Sequence, residues 1–558
     1  MSNANIPDAA DRIPMMFRSQ IPGRCQLQYA ASNDAETWVD EWVDRAYSTT
    51  PNFGEEVRTQ TYQFNWRFVT NGGQDDGIIR PVIGAYGRPF YPGSSMKGIF
   101  ASACDKEKRD RYCGETLPDG DVRPGILRFH GGYPIDDSWQ ENLLDIVHPQ
   151  QDRQVKGKRG PSAFAQISLY RPTLCFGISS SEELDAQEWE EIWQIWENAI
   201  AKGLGCRVSA GYGHPQQSKP PTKPFYRCRI KGQGAAPKLL DGTGEFRPNM
   251  LKAGIRGHAL RIFGGLTDAE TADRLVGDLF GDIHGETRVG LLAMDFDRES
   301  LQMETFGSGS YAVPTYEVEG KLAWKLTRSL PEPQRKTLKN LISSLTRFSL
   351  LLGGFGKSWR RADHRLFYPE YYDLDKAKPL IGCHWQWKGE RSQVVDNKVR
   401  KLSDVATFIE ETRSIAKEWM KQQNVKTNKG FAEEWREAWH PRKVQVWGRV
   451  ADSAEESDAI AWLHRPYRHA DPPYQTEGSI YRTSVTGKLG EIGHLWHRMY
   501  PVVLAKRDPE NPRKPKIIRT RRYLELLSVF PDGSPECDDF LQFLDSALCD
   551  FELLWPEE

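Results

Sequence analysis

The chain has 558 residues, too many for one core at about 100–200 residues per domain. Lys and Arg number 75 against 76 Asp and Glu, so the net charge is -1 and a globally basic protein is excluded. A surface for nucleic acid must then be a local stripe balanced by acid elsewhere. The nine cysteines include no CxxC pair, which argues against a structural zinc site or a disulfide framework.

"MSNANIPDAADRIPMM" lacks the apolar core of a signal peptide, and residues 1–56 read as an N-terminal extension. No apolar run approaches the ~18 residues that span a bilayer, so no membrane is expected and the cytoplasm is the expected compartment. Across 57–225, "TYQFNWRFV" alternates as a strand and "SSMKGIFASAC" opens a helix, with Ser94 and Ser95 expected as its N-caps. "GILRFHGGY" and "AFAQISLYRPTLCFGI" are strands, and "AQEWEEIWQIWENAIAKGL" is helical by period. "GLGCRVSAGYGHP" is a glycine-rich turn into a last strand. The order is β-α-β-β-α-β, the ferredoxin-like (RRM-like) pattern.

Residues 226–370 repeat it. "YRCRIKGQG", "TRVGLLAMDF" and "YAVPTYEVEGKLAWKLT" are strands. "KAGIRGHALRIFGG", "DAETADRLVGDLFG" and "EPQRKTLKNLISSLTRFSLLLGG" are helices, and "FGKSWRRADHRLF" is a glycine turn into a strand. Both halves carry a DG…RP run and then a basic-glycine pair, Lys97-Gly98 and Arg256-Gly257, which reads as a divergent duplication. Residues 371–475 read as a charged, helical, Trp-rich insertion, with His494 and His497 expected on a helix or turn after it. Residues 476–558 read as a C-terminal part packing on the second repeat: "SIYRTSVTGKLGEIGHLWHRMYPVVLA" as strand, glycine turn, strand, "RRYLELLSVF" as a strand or helix and "CDDFLQFLDSALCDFEL" as a helix. The fold class expected is α+β: two tandem ferredoxin-like domains, an insertion and an extension.

A helix start attracts anions, which makes Lys97 beside Ser94 and Ser95 a phosphate-contact candidate. Glycine turns let backbone N–H groups approach a phosphate. Arg207 sits inside the first such turn, and Lys357, Arg360 and Arg361 sit at the matching place of the second. Basic residues at one topological position, twice, favour a sugar-phosphate chain. Lys156, Lys158 and Arg159 form a basic loop that is either a solvated loop or a hairpin lying over a bound strand. Asp75, Asp76 and Asp241 are turn formers or carboxylates that position Mg²⁺ or a ribose hydroxyl. No GxxxxGK[ST] loop is present, so no nucleotide cofactor is expected.

With "PGSSMKG" after its first strand and "GLGCRVSAGYG" before its last, the first repeat resembles the RAMP superfamily, the backbone subunits of type III CRISPR effector complexes. "RPVIGAYGRPFYPGSSMKGIFAS" is the most specific match, and "LDIVHPQQ" looks like the Cmr-type branch of the Cmr/Csm-like subunits. "IRGHALRIFGG", "LVGDLFGD", "GGFGKSWRR" and "GEIGHLWHRMYP" resemble the family more loosely, and two fused units look type III-D-like. The resemblance covers about residues 57–370. It implies crRNA binding along each palm, complementary target RNA, neighbouring effector subunits, and target cleavage by an Asp on the loop after the first strand. That place holds Ile79 and Arg80 here, so the metal and catalytic roles fall to Asp75 or Asp76, and to Asp241 or Glu245 in the second repeat, with Mg²⁺ or another divalent ion. Ser94, Ser95, Lys97, Lys156, Lys158, Arg159, Arg207, Arg256, Lys357, Arg360 and Arg361 are the RNA-binding candidates. Three readings follow: a guide-binding subunit that is an endoribonuclease on target RNA, an inactive structural or capping subunit, or a stand-alone nuclease maturing CRISPR transcripts.

Overall fold

A computed structural model describes residues 34–70, 72, 74–75, 78–147, 150–157, 164–216, 223–239, 242–282, 289–306, 309, 312–356, 383–425, 430–453, 456–472, 475–487, 492–506 and 516–556. The chain divides into two compact units. One is formed from 1–148 and 162–223, the other from 149–161 and 224–558. Both mix helices with small, mostly antiparallel sheets.

In the first unit, α1 (Asp34–Arg45) precedes β1 (Arg58–Gln63), α2 (Gly93–Ala103), β2 (Leu127–Pro134), β3 (Thr173–Ser180) and α3 (Ala186–Ile200). The sheet order is β1-β3-β2, with antiparallel pairs. Trp189, Ile192, Trp193 and Trp196 recur at helical spacing along α3 and are buried, with Trp196 against Phe176 of β3. Asp185 caps α3 by accepting from the Glu188 N–H at 2.8 Å. Of the closing strand expected after the glycine turn, the described residues show one bridge, Phe64 with Pro215.

In the second unit, β4 (Tyr226–Ala235), α4 (Asn249–Gly264), α5 (Ala269–Phe280), β5 (Leu292–Phe306), β6 (Val313–Leu326), α6 (Glu332–Phe348) and β7 (Cys383–Trp387) build a sheet of order β5-β6-β4-β7. Its last strand lies past the expected boundary at residue 370. The helix expected in the charged segment is α7 (Ser403–Gln422); its Gln422 donates to Thr337 of α6 at 2.9 Å.

Beyond α7 the expectation of an insertion followed by an appended tail is corrected. β8 (Gln445–Ala451), α8 (Asp458–Trp462), β9 (Leu495–Lys506), β10 (Lys516–Val529), α9 (Pro535–Leu544) and β11 (Glu552–Trp555) form a third sheet of order β9-β10-β8-β11. Chain order and strand order both repeat those of the second sheet. His497 lies on β9, the strand expected after the glycine turn, and not on a helix or turn. The first half of β9 and the second half of β10 are buried on both faces. Leu524 and Leu526 join the core that holds Trp385 and Trp439, while Leu527 and Val529 join Phe540 and Phe543 of α9. The period-2 alternation of a strand is thereby apolar on both sides.

Glu525 of β10 is fully buried between these layers. Its carboxylate accepts from Ser457 Oγ (2.6 Å), the Ala459 N–H (3.0 Å) and Arg449 Nε (2.7 Å), and meets His497 Nε2 at 3.1 Å. It therefore satisfies the first turn of α8. Burial pushes the carboxyl up, but His497 and Arg449 outweigh it and hold it below its ordinary value. A depressed carboxyl adds stability that is present above the unfolded value and lost as pH falls through the folded one. Glu525→Gln should cost about 3–5 kcal/mol at neutral pH. The gap to wild type should narrow below about pH 4; urea unfolding at a series of pH values measures both.

Candidate nucleic-acid interface

α2 begins at Gly93 with Pro92 in the N-cap position, and no side chain caps it. The expectation that Ser94 and Ser95 are the caps is therefore corrected: both lie inside the first turn. Packing sets this start. A Cβ on Gly93 would stand 2.0 Å from the Phe129 carbonyl oxygen, so only glycine lets the helix meet β2 here. Met96 and Phe100, one turn apart, face the core. Ser94, Ser95, Lys97 and Gly98 are exposed. Lys97 makes no ion pair among the described residues. A Cβ on Gly98 would meet nothing within 4 Å, so nothing inside the unit requires that glycine.

The glycine turn is stitched to the chain after β1. Gly213 N–H donates to the Arg67 carbonyl (2.8 Å) and Cys206 N–H to the Val69 carbonyl (2.9 Å). Gly205, at φ +76, approaches so closely that a Cβ would lie 2.1 Å from Val69 O. Below the turn, Tyr212 donates to the buried Asp145 at 2.8 Å and packs on Trp66 at 4.4 Å. Arg207 sits half-buried in the left-handed region, at φ 57. Phe68 lies beside both Tyr91 and Gly205: its ring is 5.8 Å from the Tyr91 ring, and a Cβ on Gly205 would stand 3.3 Å from it. Burial pushes the Tyr91 hydroxyl up to about 12, against a smaller lowering by the nearby Gly205 backbone. Tyr91 immediately precedes Pro92, so this contact brings the start of α2 and the Arg207 turn side by side.

The other expected residues are placed differently. The segment expected as a basic hairpin forms the helix Gln150–Lys156, which belongs to the second unit. There Lys156 pairs with Asp273 at 2.7 Å and lies over Trp435, and Arg256 of α4 pairs with Asp152. These two charges clamp the helix to α4 and α5. Glu245 is buried, 3.8 Å from Arg247, and its N–H donates to the Pro237 carbonyl at 2.9 Å. Asp75 lies in a two-residue strand paired with Ile78–Ile79. Its side chain, and Asp76, Lys158, Arg159, Asp241, Lys357, Arg360 and Arg361, lie outside the described residues. No group of three potential metal ligands occurs among the described residues.

The outward face of the second sheet is charged but internally neutralised. Lys388 pairs with Glu319 (2.8 Å), Lys321 with Asp297 and Glu299 (both 3.0 Å), and Lys325 with Asp295 (3.1 Å). Lys231 bridges Glu317 and Glu319. The Lys388 hydrogen bond holds the Glu319 carboxyl below its usual range. A second set of cations is unpaired among the described residues: Lys506, Lys516, Arg519 and Arg521 on β9 and β10. Sequence reading missed them, although the run "KIIRTRR" carried the signal.

No protein-family model matches the chain, and neither does any curated protein.

The two glycines of α2 give a paired test. Gly98→Ala should stabilise the chain by about 0.5–1 kcal/mol, the ordinary gain of Ala in a helix interior. Gly93→Ala should destabilise it by about 1–3 kcal/mol through overpacking on β2. Denaturant midpoints of the two variants measure both.

Proposed function

We propose that the chain is a guide-RNA-binding subunit of the type III CRISPR effector kind, as its RAMP-like motifs imply. The observation that carries this is the junction at Tyr91 and Gly205. It joins the "PGSSMKG" helix start, which carries the exposed Lys97, to the "GLGCRVSAGYG" turn, which carries the half-buried Arg207. Two stretches over a hundred residues apart in sequence thus meet at one junction, and each brings a basic side chain. Gly98 supports the same reading, because a helix face kept free of side chain lets a sugar-phosphate backbone approach.

Strand order supports the ferredoxin-like part. In the second sheet the last strand pairs with the first, the first with the third and the third with the second, with helices in both crossovers. The third sheet repeats this, and the first shows the first-third-second portion. In the second sheet the outward face carries the paired charge lattice, so guide contacts are assigned to the α2 edge of the first unit.

On that edge Lys97 and Arg207 would meet phosphates, and the backbone N–H groups at the start of α2 would add a sequence-independent contact. A guide held through phosphates and 2′-hydroxyls keeps its sequence free to vary. Target cleavage is a separate part of the proposal and rests on Asp75, Asp76 and Asp241. Glu245 is not suited to a metal, since it is buried beside Arg247.

Lys97→Glu combined with Arg207→Glu should weaken binding of a single-stranded RNA by about ten-fold or more near physiological salt. The salt slope should fall by about 1 for each phosphate the variant no longer neutralises. Fluorescence anisotropy across a salt series measures both. Unchanged affinity, together with unchanged RNA in the purified protein, would overturn the reading. For cleavage, Asp76→Ala and Asp241→Ala should each remove one product of a complementary RNA in the assembled complex. Unchanged products from both would leave a subunit that holds a guide without cutting.

A further inference from the structure

The second unit contains a polar cleft of about 210 Å³ between β7 and the β9–β10 ribbon. It shares no residue with the proposed guide-binding edge and does not depend on it. Its wall is aromatic: Trp387 of β7 donates through Nε1 to the Tyr500 hydroxyl at 3.0 Å, and Tyr523 of β10 also lines the cleft. The Tyr500 hydroxyl in turn donates to Asn397 Oδ1 at 2.9 Å. That leaves Asn397 Nδ2 to the cleft. Gln393, which donates to the Trp387 carbonyl at 3.4 Å, leaves its Oε1, and the Gln386 side chain has no hydrogen bond among the described residues. Free amide donors and acceptors beside aromatic rings are what a nucleobase needs, since its edge hydrogen-bonds and its face stacks.

The cleft's mouth is shaped by a register break. Pro501 pairs with Tyr523, but Val503 pairs with Arg519, so three residues of β10 bulge opposite Val502. Thr520 holds the bulge by donating to the Val502 carbonyl at 2.8 Å, and the Arg522 N–H donates back to Thr520 Oγ1 at 3.1 Å. Arg519 and Arg521 flank this point and are exposed. Further along, Lys506 and Lys516 are direct register partners and both are exposed. Like charges directly opposite on a ribbon destabilise it. None of these four cations forms an ion pair among the described residues, whereas neighbouring Arg522 pairs with Asp452 at 3.1 Å. A folded surface that sets two lysines face to face with no acid paired to them among the described residues is suited to a polyanion.

We propose that this cleft is a single-nucleotide pocket, with one base of a single-stranded nucleic acid inserted against the Gln386, Gln393 and Asn397 amides, and the flanking phosphates on Arg519 and Arg521. The cleft's volume suits one ring system and no larger ligand.

The test uses the full chain and a short single-stranded oligonucleotide carrying 4-thiouridine, in ribo and deoxy versions. Photocrosslinking followed by peptide mapping should place an adduct within residues 495–506 or 516–529. Arg519→Glu combined with Arg521→Glu should weaken binding about ten-fold and remove that adduct. Gln386→Leu should weaken a normal strand by about five-fold and leave an abasic strand unaffected. These side chains are exposed or unbonded, so the variants should fold, and an unchanged melting temperature checks this. The proposal stands with either sugar and falls if neither strand crosslinks there. It also falls if an abasic strand binds as tightly as a normal one, or if polyglutamate displaces the strand as readily as unlabelled oligonucleotide. Lys97→Glu combined with Arg207→Glu should leave the adduct in place. Loss of binding with that pair, but not with Arg519→Glu and Arg521→Glu, would overturn the cleft while sparing the first-unit reading.

Discussion

One buried carboxylate fixes the arrangement of the second unit. Glu437 and Arg261 are both fully buried, and Arg261 donates to Glu437 Oε2 through Nε (2.9 Å) and an Nη (2.5 Å). Gln154 donates to the same oxygen at 3.2 Å, Arg436 donates to the other, and the Glu437 N–H donates to the Val155 carbonyl at 3.0 Å. Two charges removed from water cost several kcal/mol each, and only multiple well-formed hydrogen bonds offset that. Burial lowers the Arg261 pKa, and Glu437 partly restores it. The pair thus joins α4, the short helix Gln150–Lys156 and the segment before β8. Arg261 also lies over the Trp496 ring at 5.0 Å, which positions β9. The close approach depends on small residues. At Gly264 a Cβ would press on Trp435, and at Gly265 it would stand 2.0 Å from the Trp439 carbonyl.

Once β9 is held there, the rest of the third sheet follows from the two faces buried along the first half of β9 and the second half of β10. This explains why its charges fall into two classes. Cations within reach of acid act as bolts: Lys156 on Asp273, Arg256 on Asp152 and Arg449 on Glu525. Cations beyond the packed part of the ribbon have no such partner among the described residues. The near-zero net charge conceals this division, since one paired cation and one unpaired cation count equally in composition but differ in what they can bind.

Elements with one clean period are legible in sequence. The tryptophan spacing of α3 identifies both helix and buried face, and the alternation of β4 (buried Tyr226, Cys228 and Ile230 against exposed Arg227 and Arg229) identifies a one-sided strand. The third sheet is only partly legible: the strand after the glycine turn and the closing helix are read from sequence, but β8 falls in the expected insertion and β10 reads as strand or helix. The second half of β10 is buried on both faces, so its pattern is a continuous run that does not distinguish strand from buried helix. The sheet's α8 is a single short turn, too brief to show a period. The cap of α2 escapes local reading because the residue that decides its start is Gly93, whose constraint is the Phe129 carbonyl on a distant strand. The serines obey local propensity, and a tertiary contact overrides it. The basic segment before Gly157 escapes likewise: its helix is held by Asp273, Trp435 and Glu437, which no local window contains.

The glycines of the first unit show how far motif and chemistry can be separated. Gly205 and Gly213 each have a backbone reason, a positive φ and a neighbour near 2 Å, so the turn would need them with no ligand at all. Their presence therefore says little about function, although they carry much of the motif. Gly98 has neither a positive φ nor a neighbour. In a helix it lowers stability relative to alanine and supports no packing inside the fold. A residue that weakens the fold without an internal role is better evidence for an external partner than one the fold demands. The same reasoning selects Lys506 facing Lys516 over the many paired lysines of the second sheet. In this chain the informative residues are the ones the fold would be more stable without.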